Sequence, residues 1–237
     1  MKDNIYKNNS TVTDFKFNYK VANVFDDMIE RSVPCYKQMN AMIGFYSRIY
    51  PTNNSNIYDL GCSTGNVTLS VISNLKINSF KIFSVDSSAE MIEKSKQRNK
   101  AFASNIEFIQ ADINELQIKK ASLVILGLTL QFIPIKKRFK LIKKIYDSLL
   151  PGGAFILNEK IVDKRKTINK RLIEIHESFK RENGYSEIEI ARKRQAIENV
   201  LIPEPIEQHL KRLRDVGFKA PLVQMQCINF ASFLAVK

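Results

Sequence analysis

Cysteine and histidine are scarce in this chain of 237 residues, with three of the first and two of the second. Cys35, Cys62 and Cys227 lie far apart, and no C-x-x-C or His/Cys cluster occurs. That spacing supports neither a zinc site nor a disulfide framework. The three are expected as free thiols in a reducing compartment. No apolar run approaches the roughly 20 residues that span a bilayer, so no membrane association is expected. The opening segment MKDNIYKNNSTVTDFKFNYK has no apolar stretch of the kind a signal peptide carries, which sets a cytoplasmic expectation. Internal repeats and low-complexity tracts are also missing.

What is present fits a soluble globular protein: 44% apolar and 26% charged residues. The length suffices for one α/β domain with a sizeable core, with or without a small insertion. Net charge is +13. The basic residues are scattered, with denser patches at Lys136-Lys137-Arg138, Lys164-Arg165-Lys166 and Arg192-Lys193-Arg194. No RGG tract, zinc finger or RNP-like aromatic motif accompanies them, so no stable, direct nucleic-acid binding is expected. A solvated surface and a basic face for anionic ligands both remain open from charge alone.

Along the chain, residues 1–20 read as a polar, loosely ordered arm. Residues 21–50 read as two helical stretches broken at Ser32-Val33-Pro34, because a proline disfavours helix in the residue before it. Strands are then expected at 57–60, 80–86, 106–109, 122–128 and 154–157. Helices are expected between them at 67–75, 88–102 and 135–149, the last ended by Pro151-Gly152-Gly153. Such alternation argues a parallel sheet with helices on both faces. Residues 161–201 break it: they are charged and helical and read as a lid insertion. A helix at 203–216 closed by Gly217 and strands at 223–227 and 230–236 complete a seven-stranded sheet in a single domain over 21–237.

The stretch YDLGCSTG, residues 58–65, admits two readings. As G-x-S-x-G it spells the nucleophile elbow of a hydrolase, with Ser63 attacking. As D-x-G-x-S-x-G after a strand it is a glycine loop that holds a nucleotide-like cofactor. A hydrolase needs a histidine in a loop after a late strand, yet His176 and His209 both fall in helical segments. It also needs an oxyanion loop and several strands before the elbow, and neither is present. The cofactor reading requires an acid ending the second strand to hold two ribose hydroxyls. Asp86 stands there, 21 residues after Gly65. It requires a further acid after the third strand, near an adenine, and Asp112 stands there. With only Gly61 and Gly65, no G-x-G-x-x-G pyrophosphate cradle is spelled, which argues against NAD. An adenosyl cofactor without phosphates suits the loop. The ordered set resembles the class I methyltransferases, which have a Rossmann-like α/β fold and bind S-adenosylmethionine.

Within that superfamily, FDDMIERSVPCY (25–36), YDLGCSTG, TLQF (129–132), FKRENGYSEIEIARKRQAIENVL (179–201) and QCINFAS (226–232) resemble the carboxy-S-adenosyl-L-methionine synthase family. The likeness spans about nine-tenths of the chain, and the R-S-V-P-x-Y and F-K-R-x-N-G-Y-S-E-x-E-I segments are its specific parts. The resemblance implies an enzyme that uses S-adenosylmethionine and prephenate, without a metal. Prephenate loses carbon dioxide and water to give phenylpyruvate, and the methyl carbon captures the carbon dioxide. The product, carboxy-S-adenosylmethionine, serves a separate enzyme that modifies the wobble uridine of tRNA. The family forms homodimers.

The resemblance also implies roles for residues. Arg194 would hold the new carboxylate, a task for which a guanidinium fork is better suited than an ammonium. Tyr36 would line the site, and Gly61, Cys62 and Ser63 would contact the amino-acid end of the cofactor. Asp86 and Ser87 would hold the ribose, and Asp112 and Ile113 would meet the adenine. Gly127 departs from the family pattern, which has an asparagine two positions before the threonine of T-L-Q-F. Two other readings stay open on sequence: a conventional methyltransferase acting on tRNA or a small molecule, and a non-enzymatic binding module.

Overall fold

In the computed structural model, residues 1–7 and 13–237 are described; residues 8–12 of the expected arm lie outside them. Strands β1 (Ser55–Leu60), β2 (Phe80–Asp86), β3 (Ile106–Gln110), β4 (Ala121–Gly127) and β5 (Leu149–Lys160) run parallel. The hairpin β6 (Leu222–Cys227) and β7 (Phe230–Val236) closes the sheet, with β7 antiparallel to β5. The strand order is β3-β2-β1-β4-β5-β7-β6.

The central strands alternate with period two, as the pleat requires. In β4, Val124 and Leu126 face one core, while Leu123 and Ile125 face the other. Helices α5 (Ile135–Ser148) and α8 (Ile206–Val216) cover the first face through Leu141, Ile142, Ile145 and Leu213. Helices α2 (Tyr36–Tyr46) and α3 (Asn66–Ile72) cover the second through Ile43, Val67 and Val71. Burial on both faces explains why these strands read as continuous apolar runs.

Local chemistry sets the helix ends. Helix α1 (Tyr19–Ser32) starts at Asn18, whose side chain accepts from Val21 N at 3.2 Å, and stops at Val33, held extended before Pro34. Helix α4 (Ala89–Arg98) is capped by Ser88, which accepts from Met91 N. It is shorter than expected, because residues 100–105 continue as a 3₁₀ turn. In the lid, α6 (Lys166–Glu182) and α7 (Glu187–Ile197) meet at a turn where Ser186 and Glu189 form a capping box.

Three expectations are corrected. The Pro151-Gly152-Gly153 segment is a bulge inside β5 rather than a turn before it: Ala121 pairs with Leu149, and the register resumes at Leu123 and Ala154. Cys35 and Cys227 are joined in a disulfide, with Cα atoms 6.4 Å apart, and only Cys62 is free. The pairing spans 192 residues and depends on the α1–α2 turn docking beside the β6–β7 hairpin through Val33, Met39 and Phe230, so no local motif announces it. The arm is exposed over most of its described length but anchored at separate points. Asp3 and Phe15 are buried, Phe15 N donates to Ala196 O at 2.9 Å, and Asp3 accepts from the Tyr185 hydroxyl of the lid.

A buried ion triplet ties the lid's return to the sheet. Glu204 sits between Arg138 (2.5 Å) and Arg212 (2.6 Å). Arg138 is fully buried and also donates to the carbonyls of Ile133, Gln131 and Ile202. Removing the central carboxylate would leave two guanidiniums buried and uncompensated. Glu204→Ala is expected to cost about 3–5 kcal/mol in urea unfolding, and a loss under about 1 kcal/mol would show that water reaches the triplet.

Candidate active site

The sheet order reverses beside β1: β2 lies on one side of it and β4 on the other. At such a switch point the loops after the two strands leave in opposite directions and open a crevice at their carboxyl ends. Here the crevice is a cavity of about 670 Å³, roofed by the lid and α1. A smaller chamber adjoins it and shares Gly61, Ser63, Gly127 and Leu128.

The floor is the loop after β1. Gly61 and Gly65 have φ of +84° and +82°, and Ser63 also lies in the left-handed region at +51°. A β-carbon on Gly61 would stand 2.2 Å from Thr129 Oγ1, so the loop from β1 and the turn after β4 touch as closely as backbone permits. A clamp outside the cavity fixes the loop. Thr64 Oγ1 and Asn66 Nδ2 donate to Asp26 at 2.8 and 2.9 Å, and Arg98 donates to Thr64 O at 2.6 Å while pairing with Asp26.

Asp86 ends β2. Its carboxylate accepts from Ser63 N and Ser88 N, both at 2.9 Å, yet burial still pushes its pKa above the usual carboxylate range. Each oxygen retains a second lone pair for a hydroxyl. Asp112 is held low by Asn114, whose backbone and side chain both donate to it at 2.8 Å. Under the loop, Thr68 bonds Asp59 Oδ2 at 2.7 Å, whereas Asp59 Oδ1 is buried without a partner. Burial raises that carboxyl to about 7.

All ten residues singled out from the sequence border this space. Gly61, Ser63, Asp86, Ser87, Asp112, Ile113, Gly127 and Arg194 line the larger cavity, and Tyr36 and Cys62 line the smaller one. Arg194 faces the cavity of its own chain and pairs with Glu177 there. The nucleophile reading of Ser63 has no support: its hydroxyl donates to Met91 Sδ, His176 bonds Ser32 O, and His209 is buried against Phe233.

Sequence reasoning missed several lining residues. Phe17 of the arm meets Phe132 edge-on at 5.2 Å across the mouth. Lys160, Lys180 and Lys193 line the lid end. Gln131 bridges the turn to β5 through Leu128 O and Lys160 N, both at 3.1 Å. Gln131 and Phe132 lay within T-L-Q-F, and Lys180 and Lys193 within the 179–201 segment, but none was singled out as a site residue. The rest needed the fold.

Gly61 gives a direct test of the cradle. Alanine there costs about 1–2 kcal/mol for the left-handed backbone alone and collides with Thr129. Gly61→Ala is expected to abolish small-ligand binding in calorimetry, and Thr129→Ala on that background to restore part of it. Full binding by Gly61→Ala would place the ligand away from this loop.

Comparison with known proteins agrees with this geometry. Residues 57–153, from β1 into β5, match the model of the methyltransferase domain. Among solved structures, human N-acetylserotonin methyltransferase in complex with S-adenosylmethionine superposes with a TM-score of 0.60 at 17% identity, over 92% of this chain and 55% of that one. A Leishmania major S-adenosylmethionine-dependent methyltransferase gives 0.62 at 13% identity, over 94% and 79%. At such identities the likeness shows the fold alone, that of the class I methyltransferases. Curated relatives are nearer. The carboxy-S-adenosyl-L-methionine synthase of Pseudoalteromonas translucida is 44% identical over 100% of this chain and 99% of its own. That of Shewanella piezotolerans is 45% identical over 100% and 98%. With identity of that order along its whole length, over the lid as well as the methyltransferase domain, the chain belongs to the carboxy-S-adenosyl-L-methionine synthase family.

Proposed function

We propose that this protein is a carboxy-S-adenosyl-L-methionine synthase that converts S-adenosylmethionine and prephenate to carboxy-S-adenosylmethionine and phenylpyruvate. The observation that carries the reading is a cavity lined both by a nucleoside-type cradle and by Arg194. A site that only hands on a methyl group has no need of a guanidinium for a second carboxylate.

The residues present fit the cofactor. Gly61 leaves the close approach that an adenosyl compound needs, and Asp86 keeps free lone pairs for two hydroxyls. Asp59 lies beneath the loop and borders neither chamber, so it supports the cradle from below through Thr68. Gly61, Cys62, Ser63 and Tyr36 would hold the amino-acid end, Asp86 and Ser87 the ribose, and Asp112 and Ile113 the adenine. S-adenosylmethionine supplies an acidic methyl group on a sulfonium. The chain's own contribution is positioning and charge: the lid and the aromatic mouth exclude water, and Arg194 holds a carboxylate after parting from Glu177. The reading has no classical acid–base pair. It extends to a homodimer, to a cytoplasmic location, and to a product consumed by a separate tRNA wobble-uridine enzyme, with no stable nucleic-acid complex of this chain.

Mass spectrometry of the adenosyl product tests the chemistry. Incubation with prephenate is expected to add about 44 mass units, the carboxylate that a guanidinium would hold. Arg194→Ala is expected to lower that product about tenfold or more, and Arg194→Lys to restore little of it. An unchanged cofactor, or methyl transfer independent of prephenate, would overturn the reading. Gly127→Asn offers a gain of function. A β-carbon there meets only Val67 Cγ2, at 3.5 Å, so the family's asparagine has room. S-adenosylmethionine affinity is expected to rise about threefold to tenfold, one hydrogen bond's worth; an unchanged dissociation constant in calorimetry would show that another group already makes that contact.

A further inference from the structure

The lid end of the cavity carries an excess of positive charge: three lysines and Arg194 stand there against Glu177. Lys160 at the end of β5, Lys180 on α6 and Lys193 on α7 come together there from three separate elements. Among the described residues none of the three is in an ion pair. Lys193 Nζ donates to Ser32 Oγ at 2.8 Å, and no side-chain hydrogen bond of Lys160 or Lys180 is found. Several surface lysines do pair, including Lys37, Lys81, Lys96, Lys143 and Lys211.

The acids nearby are already engaged. Glu177 faces Arg194, Asp27 pairs with Arg31, and Asp3 accepts from Tyr185. His176, on the same face of α6, is held neutral by burial, with a pKa of about 3. Burial pushes Lys180 down to about 8 and Lys193 to about 7, and the lysines disfavour one another's charge. Around them the wall is apolar: Ile29, Val33, Ile173 and Phe230. Lys193 Nζ also lies 5.4 Å from the Tyr185 ring centroid, yet half-buried ammonium groups without an acid partner remain costly to stability. Like charges brought together from three elements are what a site for a multiply charged anion requires, and the apolar wall suits a ring.

We propose that Lys160, Lys180 and Lys193 form the subsite for the co-substrate, binding the carboxylates of a ring-bearing dianion beside Arg194. This rests on the function proposed above only for the identity of that dianion. The lysines hold the co-substrate, and Arg194 is left for the carboxylate that ends on the cofactor. The three lysines line a cavity of about 670 Å³ rather than an extended face, which suits a small anion.

Calorimetry on the full chain with S-adenosylhomocysteine bound tests the subsite. Lys160→Met, Lys180→Met and Lys193→Met keep the side-chain length and remove like-charge repulsion, so each is expected to retain or raise the melting temperature. Each is expected to weaken prephenate binding about tenfold or more, with S-adenosylhomocysteine affinity unchanged. In turnover, KM for prephenate is expected to rise more than kcat falls. Proton linkage adds a readout that a structural role would not move. A dianion favours the charged ammonium, so binding at pH 8 takes up protons and affinity falls as pH rises from about 7 to 9. Uptake, measured across buffers of different ionisation enthalpy, is expected to shrink in Lys180→Met and Lys193→Met. Prephenate binding that ignores all three substitutions overturns the subsite and leaves the synthase reading intact. Lysine-dependent binding of phenylmalonate, a ring-bearing dicarboxylate, with no binding of prephenate supports the subsite and overturns the identity of the co-substrate.

Discussion

The reversal of strand order between β1 and β4 is the constraint on which the rest of the molecule depends. It separates the loops that leave the carboxyl ends of these strands and creates a crevice where a continuous sheet would have none. Gly61 and Thr129 face each other there, one from each loop. The approach is so close that both positions are limited in what they can hold, and this ties the loop after β1 to the turn after β4. The Asp26–Arg98–Thr64 clamp then fixes the loop from outside, so the cradle is held on both sides. Leu128, with φ of +62°, takes a left-handed backbone that a leucine rarely adopts, at the same point of the crevice.

Charge is arranged along the cavity as deliberately as shape. Asp86 and Asp112 stand at the sheet end, and Glu177, paired with Arg194, is the carboxylate at the lid end. Ammonium and guanidinium groups stand at the lid end. This division accounts for part of the +13 net charge without any appeal to nucleic acid. A lysine in water costs nothing, but one half-buried beside Val33 and Phe230 disfavours its own charge. The protein carries that cost at three positions and neutralises none of them with an acid of its own.

The fold was legible because hydrophobic periodicity and turn residues agree along most of the chain. The Ser88 cap, the Pro34 break and the Gly217 stop all fall where sequence chemistry places them. Part of the sheet half was legible by spacing, the glycine loop, Asp86 and Asp112 each following a strand, whereas Tyr36, Cys62, Ser87, Ile113 and Gly127 stood out only through the family resemblance. The lid half was not. Lys160, Lys180 and Lys193 are separated by 20 and 13 positions, and each alone looks like one more surface lysine. Arg194 stood out only through its family resemblance. The Cys35–Cys227 disulfide and the docking of the first seven residues were hidden for the same reason: they join segments distant in sequence. The polarity of the arm misled because Asp3 and Phe15 serve as anchors within an otherwise polar stretch.

The lid is fixed differently at its two ends, and that difference bears on how a closed cavity admits ligands. Its base is pinned where it leaves and re-enters the sheet. Ile161 bridges Glu204, Ile202 N donates to Gln131 O at 2.9 Å, and the Arg138–Glu204–Arg212 triplet lies beneath. Its far end is held by thinner contacts: Asp3 to Tyr185, Arg31 stacked 3.8 Å over the Tyr185 ring, and Phe15 to Ala196. Buried ion pairs with several hydrogen bonds are costly to break, whereas single contacts to a terminal segment open readily. The far end is tied to α1 as well, through Arg31 donating to Asn183 O at 2.7 Å, but the base, with Arg138 fully buried, is the firmer of the two attachments. The lysines sit between these ends. An anion that neutralises them removes repulsion across β5, α6 and α7 together, so ligand binding itself stabilises the closed lid.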